Sequence, residues 1–273
     1  MKLGLIDSAF AGTHIDRAQG IRATKQLGFD AIDIFGDPLE MDIKEVRLVR
    51  ELAEELELPI VCTVCCALGI ADFNAPVRRF HIDRAKRYLD LAYDFRARNL
   101  LLVLGEYIWQ QEVIPPKVQW DWAVEGTREL ADHAASLGLE LALEIEPFHL
   151  SIINTTDKMA RFLDDVAQPA AKANVDISHL VLAHDAPSEI AKLAGRISHV
   201  HLSDCDGKVH GDLPPGRGCV DFPPYLSALR DAGFNGTISI ELEYSPEPEK
   251  ILEWVREAYD TTAAHMAALS IRS

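Results

Sequence analysis

Short apolar runs alternate along the chain with stretches whose apolar residues recur at helical spacing. The runs cover residues 3–7, 31–35, 60–64, 100–104, 139–146, 174–177, 198–202 and 237–243, and each reads as a strand. Between them, residues 42–56 place Ile43, Val46, Val49, Leu52, Ala53 and Leu56 on one helical face. Residues 76–98, 120–137, 156–166, 187–193, 223–232 and 249–267 follow the same period. Gly28, Gly138 and Gly233 close helices just ahead of strands. Eight strand–helix units in about 250 residues predict an α/β fold of the (β/α)8 TIM-barrel type. An open doubly wound sheet shows the same alternation, and periodicity does not separate the two. No linker or composition break divides residues 1–273, so one barrel domain over the whole chain is expected.

The strands carry polar residues on one face. In 139–146, Leu141, Leu143 and Ile145 alternate with Glu140, Ala142, Glu144 and Glu146. In 237–243, Ile238, Ile240 and Leu242 alternate with Thr237, Ser239, Glu241 and Glu243. If the apolar faces pack on outer helices, the carboxylates point inward, toward the end where a barrel carries its active site. Buried carboxylates are costly unless paired or bound to a metal. Asn174 and Asp176 share a face of the sixth run, and His199 and His201 share one of the seventh. Carboxylates with one imidazole form a hard, oxygen-rich ligand set that suits Mn²⁺, Mg²⁺ or Co²⁺, and also admits Zn²⁺. Some of these residues have plainer readings. Glu140, near its strand start, reads as an ion-paired group, and His199 as a hydrogen-bonded core histidine. His81, His133 and His265 read as surface groups, and His14 follows the first strand and could overhang the mouth.

Asp and Glu number 43 against 27 Lys and Arg, a formal charge of −16. Such a chain is poorly suited to phosphate backbones or anionic membrane surfaces, so a small-molecule substrate is expected, with no nucleic-acid or membrane partner. The apolar start ends at Asp7, too short for a signal peptide, and no stretch approaches the roughly 20 apolar residues of a membrane span. A cytoplasmic location is expected, and five cysteines without a framework spacing fit it. Cys62 and Cys65 form a CxxC, but their odd spacing in a strand sends the thiols to opposite faces. Trp120, Trp122 and Trp254 lie on expected outer helices and point to a homo-oligomer interface if exposed.

Several of these segments together resemble the xylose isomerase-like TIM barrels, a superfamily that includes ketose 3-epimerases, hydroxypyruvate isomerase, inosose dehydratase and endonuclease IV. The carrying segments are Ala142-Leu143-Glu144 with Ile153-Asn154-Thr155 downstream, Val175-Asp176-Ile177-Ser178-His179, His199-Val200-His201-Leu202-Ser203-Asp204, the loop from Pro215 to Phe222, and Ser239-Ile240-Glu241. The resemblance implies a TIM barrel holding one divalent ion, with manganese the first choice, on Glu144, Asp176, His201 and Glu241. It selects Glu144 over Glu146 and makes His179 a substrate or neighbouring group. Two positions depart from the ketose 3-epimerases. Their acidic residue six positions after the strand glutamate is Leu150 here, and their arginine six positions after the ligand histidine is Gly207. Lys208, His210 or Arg217 would meet the substrate instead, with Glu106 and Trp109 contributing from the loop after the fourth strand.

A cation on that ligand set makes the C–H beside a carbonyl acidic, and an enediolate follows. Glu144 and Glu241, from opposite sides of the barrel, then serve as base and acid. The function expected is isomerisation or epimerisation of a ketose or keto-sugar derivative. The alternative is a lyase working through the same enolate, a dehydratase or a decarboxylase of a 3-oxo sugar acid. A nuclease would need further histidines and a basic face, which the chain lacks.

Overall fold

The computed structural model describes residues 1–105, 114–243 and 245–272. Its strands are β1 (Lys2–Ile6), β2 (Ala31–Ile34), β3 (Ile60–Cys66), β4 (Asn99–Val103), β5 (Glu140–Leu143), β6 (Ala171–Asp176), β7 (Ile197–Leu202) and β8 (Thr237–Ile240). Each pairs in parallel with its sequence neighbours, and β1 pairs with β8 to close the barrel, which excludes the open sheet. The helices are α1 (Arg17–Leu27), α2 (Ile43–Glu55), α3 (Ala75–Asp94), α4 (Pro116–Ser136), α5 (Thr156–Val166), α6 (Ile177–Leu182), α7 (Phe222–Asp231) and α8 (Ile251–Ala268). None of the described helices is long and apolar enough to cross a membrane.

Departures from expectation have local causes. In α1 only Gly20, Ile21 and Thr24 are buried, too few to show a period. Its start is set by a capping box, in which Asp16 accepts from the Gln19 backbone and Gln19 returns the bond to the Asp16 N–H. The segment 187–193 is a 3-10 helix rather than an α-helix, and α6 precedes it. Strands β5 and β8 end at Leu143 and Ile240, earlier than expected. One further backbone bond on each, from Glu144 N to Leu102 O and from Glu241 N to Leu202 O, carries the ladder just past the strand end.

The outer faces behave as the alternation requires. Leu141, Leu143, Ile145, Ile238, Ile240 and Leu242 all pack in the large core between barrel and helices. A small separate cluster of Ile6, Cys62, Val64 and Leu101 fills part of the barrel interior. Cys62 thus lies inside and Cys65 outside, so the CxxC is core packing, and burial pushes both thiols up. All five cysteines are free.

The rest of the interior is polar and layered. At its N-terminal end Ser198 donates to Glu140 at 2.7 Å and receives from Asn99 at 3.2 Å. Glu140 also pairs with Arg98 at 3.2 Å, the ion-paired role expected of it. The next layer is the buried pair Asp33–His199, 2.8 Å apart. Neighbours such as Ser198 and His199 cannot share a face of a regular strand. The β6–β7 register slips between Ala173 and Asn174, pairing Ala173 with Ile197 but Asn174 with His199. Ser198 is the extra residue of a bulge, and the bulge turns His199 and His201 inward above it.

The tryptophans do not stand bare. Trp254 is buried, with the Arg217 guanidinium 4.4 Å from its ring centroid. Trp120 donates to Asp165 at 2.8 Å and meets Phe162 edge-on, and Arg78 covers Trp122. They serve the chain's own packing, and the interface signal read from them is lost.

Candidate active site

Glu144 and Glu241 are each the first residue beyond a strand, and Asp176 and His201 lie at the ends of β6 and β7. The parallel strands therefore deliver all four to one mouth. They form two overlapping groups that share Asp176, one of Glu144, Asp176 and His179, the other of Asp176, His201 and Glu241. Within each group the potential ligand atoms all lie within 4.8 Å of one another.

Asn174 Nδ2 donates to Glu144 Oε2 at 2.5 Å and fixes that carboxylate, leaving Oε1 without a hydrogen-bond partner. Asp176 Oδ1 accepts from Ser178 Oγ and the His179 N–H, both at 2.8 Å, and so caps α6. Its Oδ2 is left buried and unpartnered. His201 Nδ1 lies 3.0 Å from Glu241 Oε2, and its Nε2 is also unpartnered. Orphaned buried acceptors on hard oxygen ligands are what a divalent cation would satisfy, so these residues fit such an ion.

Burial pushes the Glu144 carboxyl up, with His179 and His201 pulling against it. For Asp176, burial is outweighed by His179 and its backbone N–H, and the carboxyl is held low. Burial likewise opposes a proton on His179, but Asp176 and Glu144 outweigh it and hold that imidazole well above its ordinary range. His179 also meets Ile145 O through Nδ1 at 2.8 Å and His210 Nε2 through Nε2 at 2.7 Å. Burial and then the His179 charge push His210 down.

Of the residues expected to touch substrate, His179 and His210 are thus brought to the cluster. Lys208 is exposed on a turn tied to Asp206 by its own backbone N–H. Arg217 is spent elsewhere, on Glu257 of α8 at 2.7 Å and on Trp254, so its guanidinium is not offered to the cluster. Glu106 and Trp109 lie outside the described residues. Leu150 lines a groove of about 1120 Å³ between α4 and α5, with Trp120 and Arg161, on the outer flank of the barrel. Glu146 is half-buried just past Glu144, and its charge acts on His179.

Sequence reasoning missed several residues. Asp33 is a charged residue inside an apolar strand, Ala-Ile-Asp-Ile, and that was its signal. Asp212 had none, because a non-repetitive loop delivers it with a left-handed φ of 40°. Ser203 Oγ lies 3.1 Å from Asp212 Oδ1 and 3.0 Å from Ser178 Oγ, so a hydroxyl chain links Asp212 to Asp176. Burial, then Glu241 and Asp176, push Asp212 up to about 8, and burial with Glu241 pushes Glu243 up to about 7.

Asp204 explains two motifs at once. Its buried carboxylate accepts from the N–H groups of Cys205, Val220, Gly216 and Gly218 at 2.9–3.0 Å. It therefore binds the loop rather than any ligand. Gly218 must lack a side chain, since a Cβ there would lie 2.2 Å from both Asp204 Oδ1 and Cys205 O. Asp204→Ala strands four donors, and hydrogen bonds to a charged group are worth about 1.5–3 kcal/mol each. A loss of at least about 3 kcal/mol is expected, read as a Tm lowered by about 6 °C or more in thermal unfolding. An unchanged Tm would refute the loop-binding role.

A closed parallel barrel with its charged residues gathered at the C-terminal mouth is the architecture of the (β/α)8 enzymes. Residues 21–262 match the xylose isomerase-like TIM barrel family, and the chain belongs to it. It is 26% identical over 261 residues to fructoselysine 3-epimerase of Escherichia coli O157:H7, covering 91% of this chain and 93% of that protein. It is 26% identical over 231 residues to D-psicose 3-epimerase of Ruminiclostridium cellulolyticum, covering 81% and 76%. Among solved structures, the IolI protein with a bound zinc atom superposes with a TM-score of 0.83 at 20% identity, over 98% of this chain and 99% of that one. The chain is an enzyme.

Proposed function

We propose that the chain is a divalent-metal-dependent epimerase or isomerase of a ketose or keto-sugar derivative, with Glu144, Asp176, His201 and Glu241 holding the ion. The observation that carries this reading is the pair of orphaned buried carboxylate oxygens, Glu144 Oε1 and Asp176 Oδ2, in clusters that also hold His201 and Glu241. The epimerase names of the sequence relatives support the reaction class, and the zinc atom in a structural neighbour supports a divalent ion, for which manganese is our first choice.

When bound, the cation would supply positive charge beside the substrate's carbonyl and hydroxyl oxygens, which makes the C–H between them more acidic. Glu144 is assigned to take that proton, with Asn174 fixing the direction of its carboxylate. The C–H electron pair moves toward the carbonyl oxygen. Glu241, on a strand across the barrel, returns a proton to the opposite face and so inverts the centre. His179 and His210 are taken as substrate donors. The sugar-acid lyase alternative rested on the departures at Leu150 and Gly207, with Lys208, His210 or Arg217 to meet the substrate, and of these Arg217 is engaged by Glu257 instead.

The test is a screen of keto sugars in D₂O with Mn²⁺ present. Deuterium incorporation with inversion and no carbon loss is expected, and CO₂ release or dehydration would overturn the reading. Dialysis against EDTA should abolish exchange, and added Mn²⁺ should restore it. The five free cysteines favour a reducing, cytoplasmic setting. Association of copies is checked by sedimentation, where a mass above the monomer is expected.

A further inference from the structure

Beneath the proposed cation site lies a polar layer that the chemistry above does not use. Asp33 and His199 are both buried, and His199 Nε2 lies 2.8 Å from Asp33 Oδ2. His201, two residues further along β7, stands between this layer and the mouth. Its Nδ1 is 3.0 Å from Glu241 Oε2, and its Nε2 is 3.7 Å from Asp33 Oδ2. The second distance is longer than a hydrogen bond, and both His201 Nε2 and Asp33 Oδ1 are buried without a partner.

We infer that Asp33 is the positioning residue for His201, accepting its Nε2–H so that Nδ1 presents its lone pair to the cation site. The inference rests on the reading that Glu144, Asp176, His201 and Glu241 hold a divalent ion. A ligating imidazole is neutral, so one ring nitrogen binds and the other keeps its proton. Nδ1 is the nitrogen that faces Glu241, and Nε2 is the one that faces Asp33. A carboxylate behind a ligand histidine fixes its tautomer and ring orientation and raises its basicity. The two restraints on this arrangement are visible. His199 meets the His201 ring nearly perpendicularly, at 78° and 5.2 Å between centroids, which restricts ring rotation. His199 also holds Asp33 Oδ2, so the carboxylate cannot swing away. The two histidines share a face by strand alternation, and the bulge at Ser198 turns that face inward.

The layer has one competing use. Asp33, His199 and His201 also lie close enough together to serve as three ligands, and an ion there would claim His201 from below.

The experiment is titration of metal-free full-length protein with Co²⁺, followed by its visible absorption and by competition with a chelator. Wild type is compared with Asp33→Asn and His199→Gln. One Co²⁺ per wild-type chain is expected. Asp33→Asn should bind it 10- to 100-fold more weakly with an altered spectrum, at unchanged circular dichroism, and His199→Gln should show a smaller loss. Equal affinity and spectrum in Asp33→Asn would overturn the inference, as would a second Co²⁺ in wild type that Asp33→Asn removes. A wild type that binds no ion would instead sink the reading of the cluster itself. If Asp33→Asn does not fold, ¹⁵N spectra of the wild-type histidines decide the matter with Zn²⁺ bound. A proton on His201 Nε2 supports the inference, and a proton on Nδ1 overturns it.

Discussion

Glu241→Ala is expected to leave the barrel folded and without its divalent ion. The side chain lies at the open mouth and is 14% exposed, so its removal opens no sealed cavity. The backbone bond from Glu241 N to Leu202 O does not depend on the side chain, and the end of β8 should hold. A change at such a place costs within about 1 kcal/mol of stability. The effect on the ion is much larger. Glu241 is one of four proposed donors, and its Oε2 lies 3.0 Å from His201 Nδ1, so the two would meet the ion together. Plasma mass spectrometry on untagged protein from Mn-supplemented medium should find about one ion per wild-type chain, and close to none in the variant. Equal metal in the two would remove Glu241 from the ligand set.

The second large effect is kinetic. Glu144→Gln keeps the side-chain volume and can still accept from Asn174 Nδ2, so the local packing should survive. It removes the basic oxygen. General acid–base catalysis contributes about 10²- to 10⁴-fold, and solvent deuterium exchange of the epimer whose hydrogen faces Glu144 should fall by that factor. Comparison with Glu241→Gln separates the two faces of the substrate. Each variant should lose net inversion, while the carboxylate that remains still exchanges the hydrogen of one epimer. Wild-type exchange in Glu144→Gln would exclude it as the base.

The barrel and its inward polar faces were legible because both follow from alternation, and the choice of four candidate ligands on those faces came from the family resemblance. A carboxylate among apolar residues in a strand, at the end where the chain turns outward, marks its own face. Glu144 and Glu241 were visible this way, as were Asp176 and His201. The same rule marked Asp33 in β2, yet no motif surrounded it. The contacts that were not legible depend on breaks in the period. Ser198 and His199 share the interior only because of a bulge, and a bulge has no sequence signature here. Asp212 arrives on a loop in a left-handed conformation, where spacing carries no direction. Arg217 was misjudged for the same reason. It was offered as a stand-in for the departures at Leu150 and Gly207, but the loop turns it to Glu257 and Trp254 on α8.

The four-fold grip of Asp204 has a consequence for how such an enzyme changes its diet. The segment between Cys205 and Gly216 is fastened at both ends by one carboxylate whose acceptors are spent on the loop backbone. The backbone ladder between Asp204 and Leu213 reinforces that fastening. Residues 206–211 form a cassette within it, with His210 reaching inward and Lys208 outward. Exchange of that hexapeptide alone should retune which sugars are accepted while the proposed metal ligands and the fold stay as they are. A directed library confined to those positions is therefore a compact route to new substrate preferences.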